Sequence, residues 1–181
     1  MINLSRLMAA LPVVVLLSCS KSSTTPPSAA ETNAVLLAGA KGGNKSWSLT
    51  SATVSVNGGV AQAITNIPAC ESDNVFVFSN NTTQDYVENE GATQCATTDP
   101  ATIEKGSWAF TDNGKSLLID ATYYPQSAQF QSESDLVLFI LAQGEPLTVS
   151  AITASSFTLS YSYTDTSTST TYAFTITFST N

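Results

Sequence analysis

Glu71 and Asp73 flank Cys70, and Asp85, Glu88 and Glu90 precede Cys95. Carboxylates grouped in this way can hold a hard cation such as calcium. A facing pair in a cleft can hydrolyse a glycoside. The spacing matches no calcium loop, and nothing in the sequence marks a cleft or a raised pKa. Solvated surface acids are the commoner outcome, so no metal ligand and no catalytic residue is assigned. Asp73 and Asn74 are read instead as capping a turn before an aromatic strand. The 181 residues include no histidine, which excludes Ser-His-Asp and Cys-His catalysis and imidazole zinc sites. Ser and Thr are abundant, but a nucleophile needs a base, and Lys and Arg together number only 6. A formal net charge of -8 leaves no basic surface for nucleic acid. Neither enzymatic activity, a cofactor nor a nucleic-acid partner is expected.

The three cysteines are Cys19, Cys70 and Cys95. Arg6 precedes the uncharged apolar run Leu7 to Leu17, broken once by Pro12. Eleven residues at about 1.5 Å each fall short of a bilayer core of about 30 Å. Residues 1–18 therefore read as a secretory signal peptide. Leu16-Leu17-Ser18-Cys19 resembles the lipobox of bacterial lipoproteins, which implies cleavage before Cys19 and acylation of its thiol. Several acyl chains anchor stably where one is marginal. Residues 19–33 are polar, carry Pro26-Pro27 and show no periodicity, so they read as a lipidated flexible tether. Export puts Cys70 and Cys95 in an oxidising compartment, where a disulfide is expected. It would close a loop of about 25 residues and contribute roughly 3 kcal/mol. A reactive thiol pair is the alternative, but there is no C-x-x-C and no neighbouring His or clustered Lys.

The elements that position these residues read as strands. Asn33 can cap a short helical turn over Ala34 to Ala38, with Gly42-Gly43 beyond it. Trp47 and Leu49 share a face, and Val75-Phe76-Val77-Phe78 is apolar on both faces. Trp108 and Phe110 sit two apart, and Asp112-Asn113-Gly114-Lys115 is a turn leading to Leu117 and Ile119. Leu136 to Ala142 and Leu147 to Ile152 are of strand length. Phe157, Leu159, Tyr161 and Tyr163, then Tyr172, Phe174, Ile176 and Phe178, alternate with Ser, Thr and Ala. That is a period-2 hairpin with one apolar face. About eight short strands suggest an antiparallel barrel or sandwich. The aromatic faces either fill the core, as in small barrels, or line an apolar ligand cavity.

In order along the chain stand Trp47-Ser48-Leu49, Cys70-Glu71-Ser72-Asp73-Asn74-Val75-Phe76, Glu90-Gly91-Ala92-Thr93-Gln94-Cys95, Gly106-Ser107-Trp108-Ala109-Phe110 and Leu117-Leu118-Ile119. This succession resembles the small lipocalin-like domains of Gram-negative envelope lipoproteins. The resemblance implies an all-β, antiparallel up-and-down barrel of about eight strands over residues 34–181, with a short N-terminal helical turn. It also implies that the cysteine pair ties neighbouring segments. True lipocalins place a Gly two residues before the first Trp and an Arg across it. Here Lys45 stands at that position, and Arg6 is the only arginine. Residues 122–150 look longer than the usual family connection.

The resulting expectation is a monomer, lipid-anchored through Cys19 to the outer membrane of a Gram-negative bacterium. Its first-choice role is binding a small apolar or amphipathic ligand. The residues expected to line or fill the barrel are Trp47, Phe76, Phe78, Trp108, Phe110, Phe157, Tyr161, Tyr172, Phe174 and Phe178. The alternative is a structural protein with a filled barrel that contacts an envelope protein.

Overall fold

The computed structural model describes residues 26–97, 100–123 and 144–180. The expected signal peptide, Cys19 and the apolar run Leu136 to Ala142 lie outside the described residues. Helix α1 spans Ala29–Ala38, β1 Asn44–Val56, β2 Gln62–Ala63, helix α2 Ala69–Ser72, β3 Val75–Ser79 and β4 Asp85–Asn89. They are followed by β5 Thr102–Thr111, β6 Ser116–Tyr123, β7 Leu147–Ile152, β8 Ser156–Asp165 and β9 Thr170–Thr180.

The strands follow period-2 alternation, interrupted by bulges at Thr50 of β1, Ile103 of β5 and Ser150 of β7. In β8 and β9 the register pairs Phe157 with Phe178, Leu159 with Ile176 and Tyr161 with Phe174, so apolar residues meet on one face. The strands from β3 to β9 pair in chain order, each antiparallel to the next. β1 pairs with β3 on one side and with β9 on the other, from Trp47↔Thr180 to Val56↔Tyr172. Those contacts close an eight-stranded up-and-down barrel, which fits the expected lipocalin-like fold. The two-residue β2 flanks β1 beyond the end of β3. Closure pairs most of the edges that a Thr-rich, weakly charged sheet would otherwise expose, although among the described residues β6 meets β7 only at Ser116 and Leu117.

Helix α1 begins earlier than the sequence suggests. Ser28, not Asn33, is its N-cap, and Ser28 with Glu31 forms a reciprocal capping box. Residues 29–33, read as tether, are therefore the first half of the helix. Asn33 is used elsewhere: its amide donates to the Gly114 carbonyl at 3.0 Å. Gly39, at φ +82°, takes the chain out of the helix. Asn113, at φ +53°, and Gly114, at φ +88°, make the tight turn between β5 and β6.

The C-terminal end of α1 is pinned to the barrel. The Trp47 indole donates to the Leu37 carbonyl at 2.8 Å. Lys45 Nζ donates to the Leu36 carbonyl at 2.8 Å and to the Ala154 carbonyl at 3.0 Å, placing a cation at the negative end of the helix dipole. Inside, Phe157 stacks on Phe178 at 4.5 Å between centroids and meets Trp47 edge-on at 4.8 Å. Phe76 meets Phe178 at 5.1 Å, and Phe78 lies 6.1 Å from Trp108. These rings are buried with Leu117, Ile119, Leu147 and Leu159. From the α1 end up to Phe76 and Tyr86 the described interior is filled with side chains.

Truncating a ring at the centre of this packing should cost far more than trimming the outer face. Phe157→Ala is expected to lower unfolding stability by about 3–5 kcal/mol. Thr175→Ala, on an exposed position of β9, should stay within about 0.5 kcal/mol of the parent. Urea denaturation followed by tryptophan fluorescence measures both, and equal losses would refute a filled interior.

Candidate functional site

The interior changes character one inward step beyond Tyr86. In β4 the buried positions are Tyr86 and Glu88, and in β5 they include Glu104 and Trp108. Glu88 and Glu104 are cross-strand partners, so their side chains share the inner face. Beyond them the register slips: Asn89 pairs with Thr102, leaving Ile103 as an extra residue. Gly106 lies between Glu104 and Trp108 on the same strand, and a Cβ there would run into the Asp120 carbonyl of β6. Only glycine lets β5 and β6 approach so closely at this level.

The two acids are closed off from water, Glu88 at 0% and Glu104 at 1% exposure. Asn74, at 1%, donates its amide to Glu88 Oε1 at 2.8 Å. The Tyr86 hydroxyl donates to Glu104 Oε2 at 3.2 Å. Glu88 Oε2, Glu104 Oε1 and Asn74 Oδ1 are buried without any donor. Burial drives the Glu88 carboxyl well above the usual carboxylate range, and the neighbouring charges of Glu104, Glu90 and Glu71 add to the effect, against the Asn74 bond. Burial likewise pushes Glu104 up to about 7, with the Tyr86 hydrogen bond pulling the other way. Burial first, then the two carboxylates, raises the Tyr86 phenol.

The disulfide closes this end of the barrel. Cys70 of α2 is bonded to Cys95 in the β4–β5 connection, with Cα atoms 5.1 Å apart. Asp73 does not cap a turn through its side chain; its carboxylate accepts from the Thr93 backbone at 2.8 Å and ties the Cys95 loop to the end of α2. Asn74 also has a different task from the expected turn cap, since its side chain reaches Glu88. The acids grouped by sequence do not all converge. Asp85 stands at the opposite end of β4, bound to Asn81 and held below the usual carboxylate range by hydrogen bonds from Thr83 and Asn81. Glu104, absent from the sequence grouping, takes its place. The signal was available: Glu104 is in phase with inward Trp108, just as Glu88 is in phase with Tyr86. Among the described residues, no group of three or more His, Cys, Asp or Glu side chains is arranged to hold a metal ion.

The expected lining residues fall into two sets. Trp47, Phe76, Phe78, Trp108, Phe157, Phe174 and Phe178 are buried. Phe110, Tyr161 and Tyr172 are half-buried and pack against them. Toward the β8–β9 tip, Tyr163 stacks on Tyr172 at 5.2 Å and parallel to Phe174 at 6.2 Å, with Tyr161 6.3 Å away. They form a tyrosine wall at the same end of the barrel as the disulfide. Phe110 instead borders an open cleft of about 760 Å³ outside the barrel, between α1 and the residues Lys41, Asn80 and Gln84.

No protein-family model matches the chain, and no curated protein matches it. Among solved structures, it is similar to a tryptophan-to-alanine mutant of the vaccine antigen transferrin binding protein B from Haemophilus parasuis Hp5. The TM-score is 0.38 at 10% sequence identity, over 78% of this chain and 27% of the other. The chain thus spans about a quarter of that protein's length.

The buried acids set a pH dependence whose sign is fixed. Above the unfolded carboxyl pKa, the folded chain still holds protons that the unfolded chain has released. Stability therefore falls as pH rises from about 5 through 7. For Glu104 alone the loss by pH 8 is on the order of 3 kcal/mol. Glu104→Gln and Glu88→Gln should each flatten this slope and be more stable than the parent at pH 8. Denaturant midpoints measured from pH 5 to 8 check this; a flat profile for the parent would show that the acids are hydrated.

Proposed function

We propose that this chain is a lipid-anchored envelope protein that binds a small amphipathic ligand at the disulfide end of its barrel. The carrying observation is the change inside the barrel, from packed rings to two buried carboxyls with unfilled hydrogen-bonding capacity. A buried acceptor without a donor costs stability, and a guest bearing donors recovers that cost. The tyrosine wall at the same end offers apolar faces to the rest of such a guest. The filled lower barrel favours a ligand held near the mouth rather than one threading the centre.

The role proposed is binding rather than catalysis. Tyr86 and Asn74 donate hydrogen bonds to the acid pair, and neither is a nucleophile paired with a base. The lipobox-like Leu16-Leu17-Ser18-Cys19 supports anchoring through Cys19, with the outer membrane of a Gram-negative bacterium as the proposed location. Among the described residues, barrel closure pairs most of the strand edges, which supports a monomer. A second reading is a filled scaffold that docks an envelope protein at the cleft beside α1; the packed aromatic core favours it.

One measurement separates these readings, and a second tests the anchor. Native mass spectrometry of the full chain, extracted in mild detergent, should show a bound small molecule that Glu88→Gln depletes. A bare chain that instead captures an envelope protein supports the scaffold. Cys19→Ala should move the protein from the membrane fraction to the soluble fraction, and continued membrane association would refute acylation at Cys19.

A further inference from the structure

Glu88 Oε2, Glu104 Oε1 and Asn74 Oδ1 are three acceptors on three side chains, each at 0–1% exposure, and none has a donor. They are linked to one another. Asn74 is hydrogen-bonded to Glu88, and Glu88 stands directly across the strand pair from Glu104. The chain brings no cation of its own to them among the described residues. Lys105 is exposed, on the β5 position that alternates with inward Glu104, and Lys45 is engaged with the end of α1. Lys41 and Lys115 are exposed at the α1 end. With the Glu88 carboxyl held protonated and Glu104 pushed up to about 7, the empty pair carries less than one negative charge at neutral pH.

We infer that Glu88, Glu104 and Asn74 are the receptor for a primary ammonium group on the ligand, an inference that rests on the binding role proposed above. An alkylammonium carries three N–H donors on one compact atom, and its positive charge favours release to solvent of the proton the pair holds, which leaves three acceptors to match the three donors. A quaternary ammonium supplies the charge without donors. An alcohol supplies one donor without charge. A guanidinium supplies five donors in a planar fork, more than three acceptors can use. A head group seated here is out of water, where charge-assisted hydrogen bonds are strongest. Tyr86, already donating to Glu104, holds that carboxyl in place from the ring side. The alkyl body then extends toward the half-buried tyrosines at the mouth.

The test uses the full chain carrying Cys19→Ala, titrated with three probes of equal chain length: hexylammonium, hexyltrimethylammonium and 1-hexanol. Trp108 and Trp47 fluorescence or calorimetry reports binding. Hexylammonium should bind at least about ten-fold more tightly than either control. Glu104→Gln and Glu88→Gln should each remove about ten-fold of the advantage of hexylammonium over 1-hexanol. Gln is nearly isosteric with Glu, and a near-ultraviolet circular dichroism spectrum matching the parent's certifies each variant as folded. If hexanol binds but hexylammonium binds no better, the ammonium receptor is overturned while the amphiphile reading stands. If none of the three probes binds, the amphiphile reading fails and takes the receptor with it.

Discussion

Closure of β1 onto β9 is the constraint from which the rest follows. Nine residue pairs, from Trp47↔Thr180 to Val56↔Tyr172 with a bulge at Thr50 between them, turn a twisted sheet into a tube. Once the tube is closed, every second residue of each strand points into a fixed volume. That volume is small for eight strands, so side chains must fill it or satisfy one another within it. Trp47 sits where the two demands meet. Its ring packs on Phe157, and its indole N–H holds the Leu37 carbonyl, so the strand, the core and the end plug are joined through one side chain. Closure also gives the acids no retreat. Glu88 and Glu104 lie on the inward phase of β4 and β5, and turning them outward would turn Tyr86 and Trp108 outward as well.

Much of this was readable from alternation alone. The β8–β9 hairpin keeps strict period 2 over its length, and its register places aromatic against aromatic as the pattern predicts. The β5–β6 turn at Asp112 to Gly114 and the Cys70–Cys95 bond also follow from local chemistry and compartment. The start of α1 did not follow, because Ser28 and Glu31 stand in a stretch whose prolines and serines read as tether, and a capping box is only four residues of signal. Asn33 is a good cap by type, yet its amide is worth more tied to Gly114 across the fold. Tertiary contacts decide such cases, and no local rule reports them.

The acid site was half-readable for a sharper reason. Grouping acids by nearness in sequence joined Asp85 to Glu88, although three residues along a strand separate them by roughly 10 Å and reverse the face. Pairing joins Glu88 to Glu104 across sixteen residues of chain instead. Phase against Tyr86 and Trp108 marks both as inward, but composition argues the opposite, since carboxylates are seldom fully buried. The two rules conflict only where closure forces an acid inside. A local violation of this kind is the usual mark of a site kept for something other than stability.

The distribution of satisfied groups along the barrel supports that view. At the α1 end, the helix carbonyls of Leu36 and Leu37 are taken by Lys45 and Trp47, and Trp108 donates to the Ser79 carbonyl at 3.1 Å. At the disulfide end, Asn74, Glu88 and Glu104 each keep one acceptor empty behind a covalent strap. A carboxyl pair held only for packing would be replaced at little cost by two apolar residues of similar volume, because buried charge is weak evidence for stability. The strap, the Asp73 tie to Thr93 and the Asn74 bond all hold the acids in position rather than relieve them of their charge. Rigid placement of unsatisfied acceptors next to a filled core is the preorganisation that the binding role proposed for this chain requires.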